Sequence, residues 1–594
     1  MKEKHTDRSQ LMFDDLAFLY GDDIAKEWHL KLIAYLDKYK TDHPDLAERK
    51  SSTRMNHKDA IMITYGDMVS RKGQVPLEVL TEFAREKLFG LINTIHILPF
   101  FPYSSDDGFS VIDYKQVNPA WGDWDDIKKL TTFFDLMVDV VVNHISQHSE
   151  WFKGYKAGDK KFKDYFITID PETDLSEVFR PRALPLLTEV ETSEGKKWVW
   201  TTFSADQIDL NFSNPALLME VLDVFLFYIA QGARFIRLDA VAFIWKEIGT
   251  NCLHLPQVHR IIELTRRVLD EVAPHVVLIT ETNVPHQENI SYFGDGVHEA
   301  QMVYNFSLPP LVLHSIQTGN GKKMTEWAKT LELPSDQVTF FNFCASHDGV
   351  GLLPARGILS SEEIQALADH TLRMGGRVSY KNNPDGSKSP YEMNINYLDA
   401  TRRADIDETD EKIADRFLAS QSIMLALRGV PGIYYHSLLG SQNWIEGMEA
   451  SGQNRTINRE KLDIDVLQEE LAAKGSLRQM VFNGFKVMLQ IRNQEPAFDP
   501  FGAQKVIDLG DPIFCVFRYQ NDISEGMLCL TNLSDEVQKL TIPVQECCPS
   551  QSAGLMDMIS GDAFLVIEGE CEILLRPYQV CWLKLTNSMD KSLA

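Results

Sequence analysis

Short apolar runs that alternate with amphipathic helical stretches recur along most of this chain, and they constrain its fold more than any other feature. Eight such runs occupy residues 60–65, 94–98, 136–142, 234–239, 276–281, 302–305, 339–344 and 432–435. Strands that alternate with helices form parallel βα units, because each helix carries the chain back to the start of the next strand. Eight units of this kind predict an α/β fold, a closed (β/α)8 TIM barrel.

The remaining parts of the chain predict additions to that barrel. Residues 1–57 are polar with helical periodicity, which indicates a helical N-terminal extension to a catalytic barrel of residues 58–500. About 146–209, with little helical pattern, and about 350–403, with a loop of turn formers at 381–390, are too long for simple βα connections. Both insertions follow C-terminal strand ends, so we expect them to cover an active site. Residues 501–594 predict a C-terminal antiparallel β-domain.

Charge and composition narrow the functional classes. The 594 residues carry a net charge of −26, and a field of that sign repels nucleic acid and anionic membranes. The N-terminus lacks the apolar segment of a secretion signal and no apolar stretch is long enough to span a bilayer, so we expect a cytoplasmic protein. The eight cysteines show no paired zinc-type spacing, which favours no metal. We expect small-molecule partners, and the sequence does not predict the oligomeric state.

Three carboxylates stand at the predicted C-terminal ends of different strands: Asp239, Glu281 and Asp348. One such carboxylate is commonly a cap or a surface group, but three uncompensated buried charges would destabilise a barrel that did not use them. Arg237 lies two residues before Asp239, so both side chains point to the same face of their strand. An ionised nucleophile, a protonated acid and a further negative charge are what retaining glycosyl transfer requires.

These residues and their neighbours resemble the four motif regions of the α-amylase clan of retaining glucosidases and transglucosidases. The matching motifs, in order along the chain, are Asn143-His144, Arg237-Leu238-Asp239, Glu281 and His347-Asp348. The resemblance covers about residues 58–590 and implies Asp239 as nucleophile, Glu281 as general acid/base and Asp348 as transition-state stabiliser. It implies no metal and no organic cofactor. Arg237 would hold Asp239 ionised, because a cation at contact distance favours the charged form.

Within the clan, the sequence is most similar to the sucrose phosphorylases and their relatives. The matching segments are 98–102, 108–109, 179–182, 207–209, 237–241, 307–311, 346–349 and 457–459. By this resemblance the glucosyl group would be held by Asp106, Phe109, His144, Gln207, Arg237, His347 and Arg459. Arg182 offers a bidentate fork to phosphate oxygens, and Tyr391 offers another hydrogen bond.

The second insertion departs from the sucrose phosphorylases. They carry Asp-Leu-Tyr-Gln where this chain has Ser389-Pro390-Tyr391-Glu392, so the Asp that grips fructose is replaced by Ser. Residues 377–392 and 280–286 resemble instead the glucosylglycerate phosphorylase branch. We expect Lys388, or else Lys381 or Arg377, to bind an acceptor carboxylate, and Glu392 to accept a hydrogen bond from a hydroxyl of the same ligand. A solvated loop is the alternative interpretation of the two lysines.

Together these features predict a retaining α-glucoside phosphorylase, a glycosyltransferase that reversibly converts 2-O-α-glucosylglycerate and phosphate to α-glucose 1-phosphate and glycerate. Sucrose, sucrose 6-phosphate and glucosylglycerol are the alternative substrates of such a phosphorylase. An α-glucosidase or transglucosidase with the same three carboxylates is a different activity of the same site. A catalytically inactive barrel that serves as a binding or chaperone subunit is the non-enzymatic alternative, and the complete set of carboxylates argues against it.

Overall fold

A computed structural model of the protein describes residues 8–48, 55–181, 184–382, 387–547 and 554–586, and it contains the predicted closed barrel of eight parallel strands. The strands are β1 (Ile61–Thr64), β2 (Thr94–Ile97), β3 (Asp135–Val141), β4 (Ala233–Asp239), β5 (Val277–Thr280), β6 (Met302–Tyr304), β7 (Thr339–Phe343) and β8 (Val430–Tyr434). Each strand pairs with the next along the chain, and β8 closes the barrel on β1. All eight predicted runs are therefore barrel strands, and the predicted (β/α)8 fold is confirmed.

The unit around β4 shows how the sequence encodes this arrangement. The helix Pro215–Ala230 begins after Asn214, whose side chain accepts a hydrogen bond from the backbone N–H of Ala216. Proline suits the first helical position, where no backbone donor is needed. Gly232 then turns the chain at a φ of 104°, which a residue with a Cβ adopts only under strain. β4 follows at once and ends on Asp239.

Helices surround the barrel and close its connections. They are Pro76–Lys87, Trp124–Thr131, Glu150–Ala157, Pro215–Ala230, Pro256–Val272, His286–Ile290, Leu308–Thr318, Lys322–Ala328, Ser361–Arg373, Tyr397–Thr401, Asp410–Ala426, Tyr435–Leu438, Ile445–Ser451, Ile464–Ala472 and Leu477–Gln494. Among the described residues, none of the helices has the length and apolar character that a membrane span requires.

Both predicted insertions contain regular structure. In the first, the helix Glu150–Ala157 precedes an antiparallel hairpin of Leu187–Thr192 and Gly195–Trp200, and Gln207–Asp209 then pairs with His144–Ser146 beside the end of β3. In the second, Lys388–Asn394 lies between Arg377–Asn382 and Val350–Gly351 in an antiparallel sheet. Within the loop predicted at 381–390, residues 381–382 and 388–390 belong to two of these strands, and residues 383–386 lie outside the described residues.

The two ends of the chain form the predicted types of structure. Helices Arg8–Tyr20 and Asp22–Asp42 pack on Pro256–Val272, where buried Asp15 accepts hydrogen bonds from Arg260 and Arg267. The C-terminal region has a six-stranded sheet made of Ala503–Val506, Ile513–Tyr519, Met527–Asn532, Gly554–Asp557, Ala563–Leu565 and Val580–Thr586. A two-stranded sheet of Gln538–Pro543 and Glu570–Leu575 accompanies it. The exact limits of the domains stay a prediction.

Candidate active site

The three predicted carboxylates line one cavity of about 130 Å³ at the C-terminal end of the barrel. Asp239 is the last residue of β4, Glu281 directly follows β5, and Asp348 lies in the loop after β7. The barrel thus brings together three residues that span more than a hundred positions of the sequence. Other predicted site residues that line the same cavity are Asp106, Phe109, His144, Gln207, Arg237, His347, Tyr391 and Glu392.

Arg237 lies at the centre of the charges in this cavity. Its Nη1 donates to Oδ1 of Asp239 at 2.8 Å, and its Nη2 lies 3.7 Å from Oε2 of Glu281. The same guanidinium also donates to Asp139 on β3, whose other oxygen is 2.6 Å from Nε2 of His96. These three carboxylates lie on or next to β3, β4 and β5, so the guanidinium has little freedom to move.

Burial and mutual repulsion raise the pKa of both Asp239 and Glu281. Removal from water disfavours the charged form of each carboxyl, and each also faces other carboxylates, while Arg237 acts in the opposite direction. Because Arg237 donates to Asp239 at hydrogen-bond distance, we assign the ionised form to Asp239 and the protonated form to Glu281. Glu281 also accepts a hydrogen bond of 3.1 Å from the backbone N–H of Ala240.

Asp348 differs from the other two carboxylates because it remains strongly ionised. Burial opposes its charge, but Arg455, His347 and Arg459 together hold the pKa of Asp348 well below its usual range. The closest of these is Arg455, with Nη1 at 2.5 Å from Oδ1 of Asp348. Burial lowers the pKa of His347 to about 3, so this imidazole is neutral at physiological pH.

A hydrogen-bonded wall faces the carboxylates across the cavity. His144 donates from Nε2 to the carbonyl oxygen of Phe109 at 2.8 Å, and Gln207 donates to Oδ2 of Asp106 at 3.2 Å. The Phe109 ring stacks on His347 with ring centroids 4.7 Å apart. Gly108 lets this segment approach the barrel, since a Cβ there would lie 2.6 Å from the carbonyl oxygen of Pro99. The wall therefore offers fixed polar groups beside an aromatic surface, as sugar-binding pockets do.

Arg459 lies behind this wall. It lines neither this cavity nor a second, wider cavity that contains Arg180 and Lys381. Its Nε donates to the carbonyl oxygen of His347 at 2.8 Å, and its Nη1 pairs with Asp107. The structure thus places Arg459 where it supports His347 and the 106–109 segment.

A second, wider cavity of about 1470 Å³ opens outward from the first. Residues on both cavities are Asp106, Phe179, Pro181, Tyr391, Glu392 and Arg455. Arg180 and Lys381 line the outer cavity only. Arg182, the predicted phosphate ligand, lies outside the described residues.

The other predicted acceptor cations lie away from these cavities. Lys388 is exposed on its strand and lines neither of them, and its contact with the acceptor stays a prediction. Arg377 is also exposed, and it donates to the carbonyl oxygens of Gly375 and Gly376. Lys381, by contrast, lines the outer cavity, and burial and nearby Arg356 lower its pKa.

Arg455 is the charged site residue that the sequence analysis missed. Its Nε and Nη2 donate to the two carboxylate oxygens of Glu392 at 3.1 and 2.6 Å, in addition to its contact with Asp348. One helical turn separates it from Arg459 in the segment Arg455-Thr456-Ile457-Asn458-Arg459. That repeated arginine was the available signal, because both side chains then face the same region.

Fold and site together define the class of protein. The family described as the alpha amylase catalytic domain matches residues 88–350. A solved structure, sucrose 6F-phosphate phosphorylase from Thermoanaerobacter thermosaccharolyticum, has the same fold with a TM-score of 0.70 at 22% identity, covering 87% of this chain and 98% of that chain.

More similar relatives identify the branch. The chain is 50% identical to the glucosylglycerate phosphorylase of Spirochaeta thermophila, over 96% of this chain and 97% of the relative. It is 42% identical to the glucosylglycerate phosphorylase of Escherichia coli K12, over 97% of this chain and 100% of the relative. The sucrose phosphorylase of Streptococcus mutans is 26% identical, over 81% of this chain and 97% of the relative. The chain belongs to the glucosylglycerate phosphorylase family, within the α-amylase type of barrel enzyme.

Proposed function

We propose that this protein catalyses the reversible phosphorolysis of 2-O-α-glucosylglycerate to α-glucose 1-phosphate and glycerate, with retention of the α-configuration. The observation that carries the choice of substrate is the 42–50% identity, over nearly the whole chain, to relatives named as glucosylglycerate phosphorylases. The two carboxyls beside Arg237, one at hydrogen-bond distance and one farther away, support the choice of mechanism.

In the first step Asp239 attacks the anomeric carbon while Glu281 protonates the glycosidic oxygen. The bond from the anomeric carbon to that oxygen breaks, glycerate leaves, and a glucosyl ester forms on Asp239. Arg237 keeps the attacking carboxylate ionised, and the raised pKa of Glu281 keeps its proton available at neutral pH.

In the second step a phosphate oxygen attacks the same carbon from the face that glycerate left. Glu281, now ionised, takes a proton from the phosphate, and the ester bond breaks to free Asp239. Two displacements at one carbon restore the α-configuration. Asp348, held ionised, stabilises the positive charge that develops on the sugar in both steps.

The wall of the inner cavity is proposed to bind the glucosyl group. Asp106, His144, Gln207 and His347 are hydrogen-bonding groups that line this space, and Phe109 covers one side of it. Arg237 contributes through Asp239, and Arg459 acts through His347 and the 106–109 segment. The network fixes these groups before substrate arrives, which reduces the cost of ordering them.

Phosphate and glycerate are proposed to bind in turn where the two cavities meet. Tyr391 lines both cavities, Arg180 and Lys381 line the outer one, and Arg182 lies next to Pro181 in sequence. An anion needs such cations in a protein of net charge −26. Because Lys381 lines the outer cavity and Lys388 does not, we assign Lys381 in place of Lys388 as the hairpin cation.

Arg182 stays a sequence-based prediction, and Arg182→Ala should reduce phosphorolysis more than hydrolysis.

Synthesis from α-glucose 1-phosphate tests the proposed acceptor directly. Glycerate, glycerol and fructose are supplied separately at equal concentration, and phosphate release and the glucoside formed are measured. We expect glycerate to give the highest kcat/KM. A preference for fructose would indicate a sucrose phosphorylase, a preference for glycerol would defeat the carboxylate argument, and release of free glucose with no acceptor preference would indicate a hydrolase.

A further inference from the structure

Arg455 joins two carboxylates that come from different parts of the chain. Asp348 lies in the loop after β7, and Glu392 lies on the strand Lys388–Asn394 of the second insertion. Arg455 itself belongs to the short helix Asn454–Asn458 after β8, and its side chain contacts both carboxylates within 3.1 Å. It is therefore placed between the catalytic loop and the hairpin that covers the site.

The two carboxylates depend on Arg455 for charge balance. The Glu392 side chain is only 5% exposed, and the hydrogen bonds the structure gives to its carboxylate come from Arg455. Removing one partner of such a buried pair leaves an uncompensated charge, which is strongly unfavourable. Arg455 is also the cation with the largest effect on Asp348.

The backbone after Asp348 also approaches the hairpin strand Lys388–Asn394 closely. A Cβ at Gly349 would lie 2.6 Å from Cγ of Glu392 and 2.6 Å from the carbonyl oxygen of Met393. The turn that follows Asp348 thus packs directly against the hairpin strand, and a glycine is needed there. Any change in the position of Glu392 would press on the residue next to Asp348.

The Arg455 side chain still reaches the substrate space. It is 28% exposed and lines both cavities. The bidentate contact with Nε and Nη2 fixes the plane of the Glu392 carboxylate, so its orientation toward the cavities is set in advance.

We propose that Arg455 is a positioning residue that clamps Asp348 and Glu392 together. In this role it keeps Asp348 ionised for glucosyl transfer and orients Glu392 as the acceptor of a hydroxyl hydrogen bond from the leaving hydroxy acid. The second part rests on the proposed function, since it assumes glycerate as the acceptor. The first part needs only a glucosyl donor.

Arg455→Gln tests the first part with α-glucosyl fluoride and phosphate, because fluoride leaves without a proton from Glu281. The initial rate of fluoride release at saturating donor is measured for the wild type, for Arg455→Gln and for the control Arg377→Gln, which removes the same charge from an exposed position that lines neither cavity. Loss of the clamp lets Asp348 move from its position, and a displacement of about 1 Å can cost about 10²-fold in rate. We therefore expect Arg455→Gln to lose about tenfold to hundredfold in kcat for fluoride release, and Arg377→Gln to keep the wild-type rate.

Arg455→Lys and Glu392→Gln separate charge from geometry. Lysine keeps the charge but lacks the fork, so Arg455→Lys should recover most of the fluoride release that Arg455→Gln loses and should raise the KM for glycerate about tenfold. Glu392→Gln should raise that KM by a similar factor. In the double variant Arg455→Gln with Glu392→Gln, the second substitution should restore part of the kcat that Arg455→Gln loses, because it removes the uncompensated charge. Thermal unfolding of each variant checks that it is folded.

The outcomes distinguish this proposal from the proposed function. A wild-type protein that releases no fluoride would refute the glucosyl-transfer mechanism itself. A wild type that releases fluoride, together with an unchanged kcat for fluoride release in Arg455→Gln, would overturn the clamp alone. A kcat in Arg455→Lys as low as that in Arg455→Gln would also overturn it, because charge would then not be the cause.

Discussion

In the proposed mechanism, Arg237 determines which of the two carboxyls is the nucleophile and which is the acid. Its guanidinium lies 2.8 Å from a carboxylate oxygen of Asp239, which is hydrogen-bond distance, and 3.7 Å from a carboxylate oxygen of Glu281. The contact with Glu281 is therefore 0.9 Å longer. A carboxyl without that hydrogen bond holds a proton more readily in a buried site. In the proposed mechanism this one side chain therefore makes Asp239 the nucleophile and leaves Glu281 as the acid.

Glu281→Gln tests that assignment through the pH dependence of the reaction. Burial raises the pKa of Glu281 above the ordinary value, so its acid form persists toward neutral pH and activity falls as the pH rises through that pKa. Glutamine cannot give up a proton, so the variant should lose this basic limb and about 10² to 10⁴-fold in turnover of glucosylglycerate. The first release of fluoride from α-glucosyl fluoride should be far less affected. Equal losses with both substrates would show that Glu281 is not the acid.

Residue roles were predictable where a barrel strand fixes them. Arg237 and Asp239 were expected on one face of a strand, and the structure places both in the cavity. Arg455 and Lys381 were harder, because their positions depend on how a loop after β8 and a polar hairpin fold over the barrel. No local periodicity records which of several loop cations turns inward, and this is why Lys388 was preferred.

At the scale of elements, the barrel strands were predictable and the hairpin was not. The barrel runs are apolar because they are buried on both faces, and that pattern is visible in the sequence. The strands Arg377–Asn382 and Lys388–Asn394 are polar, and they form because they pair with each other and with Val350–Gly351. Strand formation that depends on a partner leaves little trace in the segment itself.

Two lysines on this hairpin provide a matched pair of variants. Lys381 lines the outer cavity, whereas Lys388 is exposed and lines neither cavity. Lys381→Ala should raise the KM for glycerate about tenfold, the effect of about 1.4 kcal/mol, and should leave the KM for glycerol unchanged. Lys388→Ala should change neither value. Steady-state synthesis with both acceptors makes the comparison, and a larger effect from Lys388→Ala would reverse the assignment.

At the scale of the whole molecule, the barrel and the C-terminal sheet are joined through a buried arginine. Arg518 on the strand Ile513–Tyr519 donates to the carbonyl oxygens of Ala426 at 2.8 Å and Asp499 at 2.7 Å. Ala426 ends a barrel helix, so these bonds cross between the two parts. The strands and helices of both parts were expected from the sequence. The contact between the two parts was not expected, because such a contact is not a local property of the sequence.

Arg518→Leu should destabilise the protein without changing its catalysis. The substitution leaves the carbonyl oxygen of Ala426 without the Arg518 donor, while that of Asp499 keeps the backbone N–H of Gly502. One unsatisfied buried carbonyl costs about 1 to 3 kcal/mol, so the free energy of unfolding should fall by about 1 to 3 kcal/mol. Urea unfolding measures the change, and kcat/KM of the folded protein should be unaltered. Lys539→Ala, which removes an exposed pair with Glu572, should change the stability by less than about 0.5 kcal/mol. Equal effects of the two variants would contradict the role given to Arg518.

The stereochemistry of phosphorolysis tests the central claim most directly. Purified protein is mixed with 2-O-α-glucosylglycerate and inorganic phosphate, and the first product is followed by proton and phosphorus NMR before any mutarotation of released sugar. Double displacement through Asp239, with phosphate as the second nucleophile, predicts α-glucose 1-phosphate as the main initial product. Formation of β-glucose 1-phosphate would contradict the two-step mechanism, and free glucose as the main product would contradict the preference for phosphate over water.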